Sequence, residues 1–465
     1  MCAALKRAEE DAGAQIISNL DSLDIVHQVS WRYDGTAASL CRQLGIQPAR
    51  AVYGVTGGES PLRYLHEAAL RIVRGEFEVA AIVGAEAQYA VNKVKQAGID
   101  LPWTPIAAEI ENPYLTAGRL NPIAIAHGAI RPIQTYPFYE NASSHAWGQT
   151  PAEALAESGE LWSRFSRVAA ANPYSWSKRI YSPEEIATPS ADNRLICFPY
   201  TKRVVANPAV NQGAAIIVMS LERARALKID ETKLIYIWGG AAAMEPRDYL
   251  ARDQYHHSDA QDVVLSAMQS LAHANDSTLD AWELYSCFPC VPKMTRRVLD
   301  LSDQVTPTVT GGLSLFGAPL NNYMTHAACA MVRHLRADRA HTGLLYGQGE
   351  IVTKHHGLVV GRIPPTQPLA FDYSVQPDVD RQRGSVPATA ADYRGKATLE
   401  TFSVVYDREA ALHGTVIART QHDNRIMARM TDRDDIGRLQ DSARSPIGLR
   451  LNIVSGGDLL HARFG

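Results

Sequence analysis

Residues 55–87 read "VTGGESPLRYLHEAALRIVRGEFEVAAIVGAEA". A double glycine, Gly57-Gly58, leads into a helical pattern that places Leu62, Leu65, Ala69 and Ile72 on one face. The continuous apolar run "VAAIVGA" follows, a strand covered on both faces of its sheet, and then Gly-x-Glu. A reactive group placed where the glycines stop and the helix starts would feel the helix's positive end and be surrounded by backbone N–H donors. The residues there are Gly58, Glu59, Ser60 and Pro61, and none is an obvious nucleophile.

Working outward, the order of elements repeats. Upstream lie a helix through about Ala14, a short strand in "LDSLDIVHQVS", a helix "TAASLCRQLG" that stops at Gly45, and the strand "ARAVYGV". Downstream, "DVVLSAMQSLAHANDSTLDAWELYSCF" gives helix, turn and strand, and "GGLSLFGAPLNNYMTHAACAMVRHLR" gives a second double glycine and helix. "TGLLYGQGE" then gives a strand ending in Gly-x-Gly-Glu. This repetition predicts two similar βαβ halves whose glycine–helix junctions face one shared cleft, joined by right-handed crossovers.

Two regions fall outside the repeat. Residues 100–200 are rich in Pro, Tyr and Trp and read as an insertion in the first half, of the kind that forms lids or binding loops. Their strongly periodic part is a helix over roughly 151–171, and the excursion includes "ENPYLTAGRLNP" and closes on "NQGAAIIVMS", read as another buried strand. After Gly361 comes a proline-rich linker, then short β-type runs such as "ATLETFSVVYD" and "GTVIARTQ", which suggest a small antiparallel barrel, OB-like. The expected boundaries are 1–220 for the first half, 221–361 for the second, and 370–465 for the appended domain.

Composition narrows the class. The chain has 465 residues, 46% apolar and 20% charged, with a net charge of −3, so no basic footprint points to nucleic acid or an anionic membrane. No apolar run reaches the roughly 18 residues of a spanning helix. "MCAALKRAEEDAGAQ" is a charged helical pattern, not a secretory signal. Six scattered cysteines in a chain of this size imply no disulfide framework. A cytoplasmic protein without a metal is expected.

Seven motifs in order carry a family resemblance: "GGESPLRYLHEAALRI", "AAIVGAEA", "NPYSWSKRIYSPEEI", "NQGAAIIVMS", "ELYSCF", "GGLSLFGAP" and "LLYGQG". Over roughly residues 1–360 the chain resembles the thiolase superfamily, in its sterol-carrier-protein-thiolase-like and acetyl-CoA acetyltransferase-like branch. The tail resembles the extra C-terminal domain of a thiolase-like subgroup. The resemblance implies an α/β thiolase fold, duplicated βαβ halves layered α-β-α-β-α, with an inserted loop domain and a C-terminal OB-like domain. It also implies CoA or acyl-CoA as ligand, with no tightly bound cofactor.

Matched residue by residue, the family's nucleophilic Cys-x-Ser falls on Gly58 and Ser60, its Gly-His-Pro on Gly317-Ala318-Pro319, and its Cys-x-Gly near Leu345 to Gly349, where no cysteine stands. The His-Asp-Cys-Phe motif appears as Tyr285-Ser286-Cys287-Phe288. The nucleophile, its base and the acid cysteine have all changed, which implies poor or absent Cys-dependent thiolysis. The remaining catalytic candidates are Tyr285, Ser286 and Cys287. Tyr285 is an acid or base at a strand end, or a phenol that simply packs. In the region that covers CoA in thiolases, Lys178, Arg179, Lys202 and Arg203 are candidate phosphate contacts, with Trp176 or Tyr174 stacking on adenine and Gly347 and Gly349 lining the site.

Several readings stay open. Cys287-Phe288-Pro289-Cys290 is a C-x-x-C, but no second pair at zinc spacing accompanies it and the family motif already accounts for Cys287. The pairs His256-His257 and His355-His356 read as solvated or core-packed rather than metal-ligating. The chain opens inside the first helix, where the resemblance expects an apolar strand ahead of it, so either the start is mis-assigned or the first sheet lacks one strand. A homodimer through "ARAVYGV" and a monomer are both open. Three functions follow: a CoA-binding thiolase-like protein of lipid or sterol metabolism, an acyl-CoA enzyme using Tyr285 or Cys287 for retro-aldol cleavage or thioester hydrolysis, or a non-catalytic interaction subunit.

Overall fold

The computed structural model describes residues 1–104, 106, 120–408, 410–457 and 459–465. Most of the stretch "ENPYLTAGRLNP" lies outside the described residues. The first half runs α1 (Cys2–Ala12), β1 (Ser22–Ile25), α2 (Thr36–Leu44), β2 (Arg50–Tyr53), α3 (Ser60–Val73) and β3 (Val79–Ala87). The excursion follows as α4 (Gln88–Ala97), α5 (Pro122–Ala126), α6 (Pro132–Ala146), α7 (Pro151–Ala171), α8 (Pro183–Ala187), β4 (Leu195–Phe198) and β5 (Tyr200–Thr201), and β6 (Asn211–Met219) closes the half. The second half comprises α9 (Leu221–Ala226), β7 (Tyr236–Met244), α10 (Asp259–Ala274), β8 (Ala281–Leu284), α11 (Cys290–Val298), α12 (Gly312–Leu315), α13 (Tyr323–Arg336), β9 (Thr342–Gly349) and β10 (Lys354–Gly361). The tail comprises α14 (Gln376–Gln382), β11 (Gly395–Tyr406), β12 (Ala411–Thr420), β13 (Arg425–Met430), α15 (Arg433–Leu439), β14 (Arg450–Gly456) and β15 (Leu459–Phe464).

The halves form two four-stranded sheets, ordered β2-β1-β3-β6 and β7-β10-β9-β8. In the first, β1 is parallel to β2 and β3, and β6 is antiparallel to β3 from Val79↔Met219 to Ala87↔Asn211. In the second, β8 and β9 are parallel, and β10 is antiparallel to both β9 and β7. Period-2 alternation explains how β3 serves two cores. Val79, Ala81 and Val83 pack outward with Leu5 and Leu40, while Ala80 and Ile82 pack inward with Leu62 and Leu65. Helices α3 and α13 contact strands of both sheets, so they are the middle layer of an α-β-α-β-α stack. Gly45 ends α2 in a left-handed cap, as its sequence position predicts.

In the tail, β11-β12-β13-β15-β14 closes on itself through β11–β12 and β11–β14 pairings, with Leu439 of α15 in its core. This is the OB-like barrel expected, with one correction: β13 and β15 run parallel. Strand β4 of the excursion joins the barrel at Val404↔Phe198, so excursion and tail share a sheet.

Two further expectations are revised. Besides 151–171, the excursion holds α6, whose Pro137 and "ENASS" mask its pattern. It forms because Tyr136, Phe138 and Tyr139 are buried, Lys293 on α11 bonds Glu140 at 2.6 Å, and Asn141 donates to the Phe402 carbonyl at 2.8 Å. Strand β6 is only half-buried over Ile216–Met219 rather than fully covered, because a strand pairs with it on one side alone. At the other end of that sheet, edge strand β2 leaves Val52 39% exposed.

Candidate functional site

The first glycine–helix junction is held by residues of the second half. Gly57 N–H donates to Asn321 Oδ1 at 3.0 Å, and Asn321 Nδ2 donates to the His27 carbonyl at 2.9 Å. A turn of the second half therefore ties the start of α3 to the end of β1. Gly58 is glycine because of close approach: a Cβ there would overlap the Tyr285 phenol oxygen and the Gln348 backbone oxygen. Gly349 is also closely approached: a Cβ there would displace the Glu59 carboxylate. Glu59 is buried, with Oε2 lacking a hydrogen-bond partner. Burial raises its carboxyl above the ordinary range, against the pull of Lys354.

The second junction is held from within its own half. Glu283, fully buried on β8, accepts from the Val309 and Thr310 N–H groups at 2.8 and 3.0 Å and from the Tyr323 hydroxyl at 2.6 Å. Thr308 and Thr310 hydroxyls also reach it. That network shapes the loop leading to Gly311 and Gly312, whose φ values of +109° and +77° favour glycine. Ser286 Oγ then accepts from the Leu313 N–H at 3.2 Å.

Tyr285 stands between the two junctions. Its N–H donates to the Tyr346 carbonyl at 3.1 Å, its ring meets Tyr323 edge-on at 5.8 Å, and its hydroxyl reaches Gly58. Ser286, Gly347 and Gly349 share this neighbourhood: a Cβ at 347 would meet Glu59 and Met324, and one at 312 would meet Ser286. Burial pushes the Cys287 thiol up to about 12 and raises Cys290 further, so both are neutral thiols. Neither forms a disulfide, and the C-x-x-C is a buried structural pair.

The candidate CoA contacts are spread more widely. Trp176 N–H donates to the Phe316 carbonyl at 2.8 Å, which sets it beside Gly317-Ala318, and its half-exposed ring meets Tyr89 at 5.2 Å. Lys178 is turned to the Asn172 carbonyl, and Arg179 pairs with Glu185 at 2.6 Å. Arg179 and Arg203 both stack over Tyr181 at 4.7 Å, whereas Lys202 is exposed. The histidine pairs find protein partners: His355 bonds the Tyr346 hydroxyl at 2.6 Å, His356 meets His66 at 3.2 Å, and His257 meets Asp259 at 3.1 Å.

Sequence reasoning sets Glu59 aside as no obvious nucleophile and does not single out Asn321 or Gln348. Gln348 Nε2 donates to the Tyr136 hydroxyl at 2.5 Å, linking the junction to α6. The available signal was polar residues inside otherwise buried runs, "GGES", "PLNNY" and "YGQG".

Comparison with known proteins agrees with this architecture. Residues 374–458 match the family described as thiolase-like protein type 1 additional C-terminal domain. The whole chain superposes on the crystal structure of a monomeric SCP2-thiolase like protein type 1 from Mycobacterium smegmatis. The TM-score is 0.83 at 28% identity, covering 99% of this chain and 93% of that one. An Ltp2-ChsH2(DUF35) aldolase matches at TM-score 0.57 and 18% identity, over 76% of this chain and 90% of that one. Acetyl-CoA acetyltransferase from Syntrophomonas wolfei matches at 0.52 and 14%, over 77% and 91%. The last two likenesses concern the fold alone. No curated protein matches by sequence. No helix among the described residues is long and apolar enough to cross a membrane. The chain has a thiolase-type fold, and its residues 374–458 match the additional C-terminal domain of thiolase-like proteins of type 1.

Proposed function

We propose that the protein binds CoA or an acyl-CoA in lipid or sterol metabolism and does not carry out Cys-dependent thiolysis. One observation carries this reading: where the family places a nucleophilic side chain, the Tyr285 hydroxyl and Gln348 carbonyl stand against Gly58. Gly317-Ala318-Pro319 has no imidazole to serve as base. Trp176, Lys178, Arg179 and Lys202 are the proposed adenine and phosphate contacts, with Gly347 and Gly349 beside the acyl end. Lys202, exposed at the surface, is the cation most available to a phosphate. Calorimetric titration with CoA and acetyl-CoA, followed by a thiolysis assay on the same sample, is the test. Binding without turnover is expected. Thiolysis would overturn the reading, and absence of binding would favour a non-catalytic interaction subunit.

A second reading rests on the Tyr285 hydroxyl at the same junction. A phenol there is placed to exchange a proton with a bound acyl-CoA, as retro-aldol cleavage or thioester hydrolysis requires. The β4–β11 pairing brings an OB-like barrel to this chain in cis, and one fold neighbour is an aldolase complex. Cys287, neutral and buried, is the weaker candidate. Cleavage of a β-hydroxyacyl-CoA that disappears in Tyr285→Phe would establish this reading in place of the first.

A further inference from the structure

A second cleft, of about 810 Å³, opens where both halves and the tail meet. Its walls are the turns after β1 and β2, the first turns of α3, the end of β7, the start of β10 and the segment entering α14. Tyr285, Trp176, Lys178, Arg179 and Lys202 are not among its lining residues, so it lies apart from the proposed CoA contacts. The tail wall is firmly tied. Ala242 N–H donates to the Tyr373 carbonyl at 2.9 Å, and Val375 N–H donates to the Ala242 carbonyl at 3.0 Å. The Gln376 side chain bonds both the N–H and the carbonyl of Met244, at 2.7 and 3.0 Å. Clefts of this size at the meeting of domains are where small-molecule sites form.

The lining is cationic. Arg32, Arg63, Arg247 and Lys354 line the cleft, and Glu59 is the one carboxyl among the described lining residues. Carboxylates behind the wall balance this charge only in part. Arg247 and Lys354 share Glu350, at 3.4 and 3.0 Å. Glu67 lies 3.9 Å from Arg63 but is closer, at 3.1 Å, to Arg71. Arg63 Nε has no hydrogen-bond partner. At the base, His355 and His356 are held neutral by burial and are bonded to Tyr346 and His66, so they add no charge. Glu59 differs from them. It is 5% exposed, its carboxyl lies against Gly57 and Gly349, and its Oε2 is without a partner. A buried polar group in that state costs stability, and a ligand that reaches it removes the cost.

We propose that this cleft binds a small organic anion that carries a hydroxyl, its carboxylate or phosphate held by Arg63, Arg247 and Lys354 and its hydroxyl by Glu59. Guanidinium groups present paired N–H donors that match the oxygens of either anion, and Lys354 adds a point charge. A hydroxyl both donates and accepts, so it meets Glu59 in either protonation state. An amine would be repelled by the cations of the wall, and an apolar ligand would leave Glu59 unpartnered.

Calorimetric titration of the full chain with glycerol phosphate and with malate separates a phosphate ligand from a carboxylate one. Propyl phosphate and succinate are the analogues that lack the hydroxyl. Saturable binding of at least one hydroxylated anion is expected, roughly fivefold tighter than its analogue. Arg63→Gln and Arg247→Gln, both at partly exposed side chains, should each weaken it roughly tenfold or more. Arg74→Gln, at the far end of α3, should change it by less than about twofold. Glu59→Leu should remove the preference for the hydroxyl, and Glu59→Gln should keep it. The arginine variants carry the test even if Glu59→Leu does not fold. Failure of both hydroxylated anions to bind, binding without preference for the hydroxyl, equal weakening by Arg74→Gln, or displacement of the anion by CoA would each overturn the proposal.

Discussion

In the second sheet β10 is bonded along both edges and lies buried, whereas its counterpart β6, among the described residues, is bonded along one edge and is half-exposed beside a cavity. The junctions differ as well. The loop before Gly311 is organised by Glu283 from its own half, whereas the Gly57-Gly58 junction takes its anchor, Asn321, from the other half. The repeated backbone is common to both halves, and the polar contacts that fix it are not. A duplicated fold thus keeps its element order through apolar pattern, while each copy's detailed shape rests on a few buried polar residues.

The largest expected effect tests the better-anchored junction. Glu283→Ala removes the carboxylate that accepts from the Tyr323 hydroxyl, two threonines and two backbone N–H groups, with the Thr308 and Thr310 hydroxyls as the remaining acceptors there, and a loss of about 3–5 kcal/mol in urea unfolding is expected. A loss no greater than that for Asn321→Ala would remove the contrast between the junctions.

Acid tests the contrast between the sheets. Burial holds His355 on β10 down to about 4 and His326 beside the cavity at β6 down to about 3. An unfolded imidazole titrates near 6.5, so between about 4 and 6.5 the unfolded chain binds protons that the folded chain does not. The stability these groups contribute is complete above 6.5 and is lost as pH falls through that window, on the order of 3 kcal/mol by pH 5. A Tm series from pH 7.5 to 5 measures it. His355→Phe and His326→Phe should flatten the profile to similar extents, because at pH 5 burial keeps both imidazoles neutral in the folded chain.

Gly58→Cys should yield no thiolysis and should cost about 1–3 kcal/mol, because the new side chain collides with Tyr285. Adding Tyr285→Ala should restore neither stability nor activity: the Gln348 carbonyl still opposes the new Cβ, the lost ring leaves a cavity, and Ala318 supplies no base. Thiolysis in the single variant would show that Gly58 does not stand at the nucleophile position. The smallest effect is expected from Asn321→Ala: about 1 kcal/mol, with faster amide exchange at Gly57.

Much of the fold was legible because its cause is local. The 3.6-residue pattern of Leu62, Leu65 and Ala69 and the unbroken run Val79–Val83 specify helix and strand wherever they are placed. Helix α6 was not legible, because Pro137 and its polar residues are overridden by burial against α11 and the barrel. The barrel's spacing of short strands was visible, whereas the parallel β13–β15 pair and the β4–β11 seam were not, since a strand's sequence does not name its neighbour.

The amino-acid sequence by itself determined the order of elements, the duplication, and the absence of cysteine at Gly58 and histidine at Ala318. These are properties of residue type and short-range period. Tertiary structure alone decided that the Tyr285 hydroxyl and Gln348 carbonyl fill the space at Gly58 and that Asn321 ties one half to the other. Each of these depends on groups far apart in the chain meeting within a few ångströms, a condition set by how the sheets and helices pack.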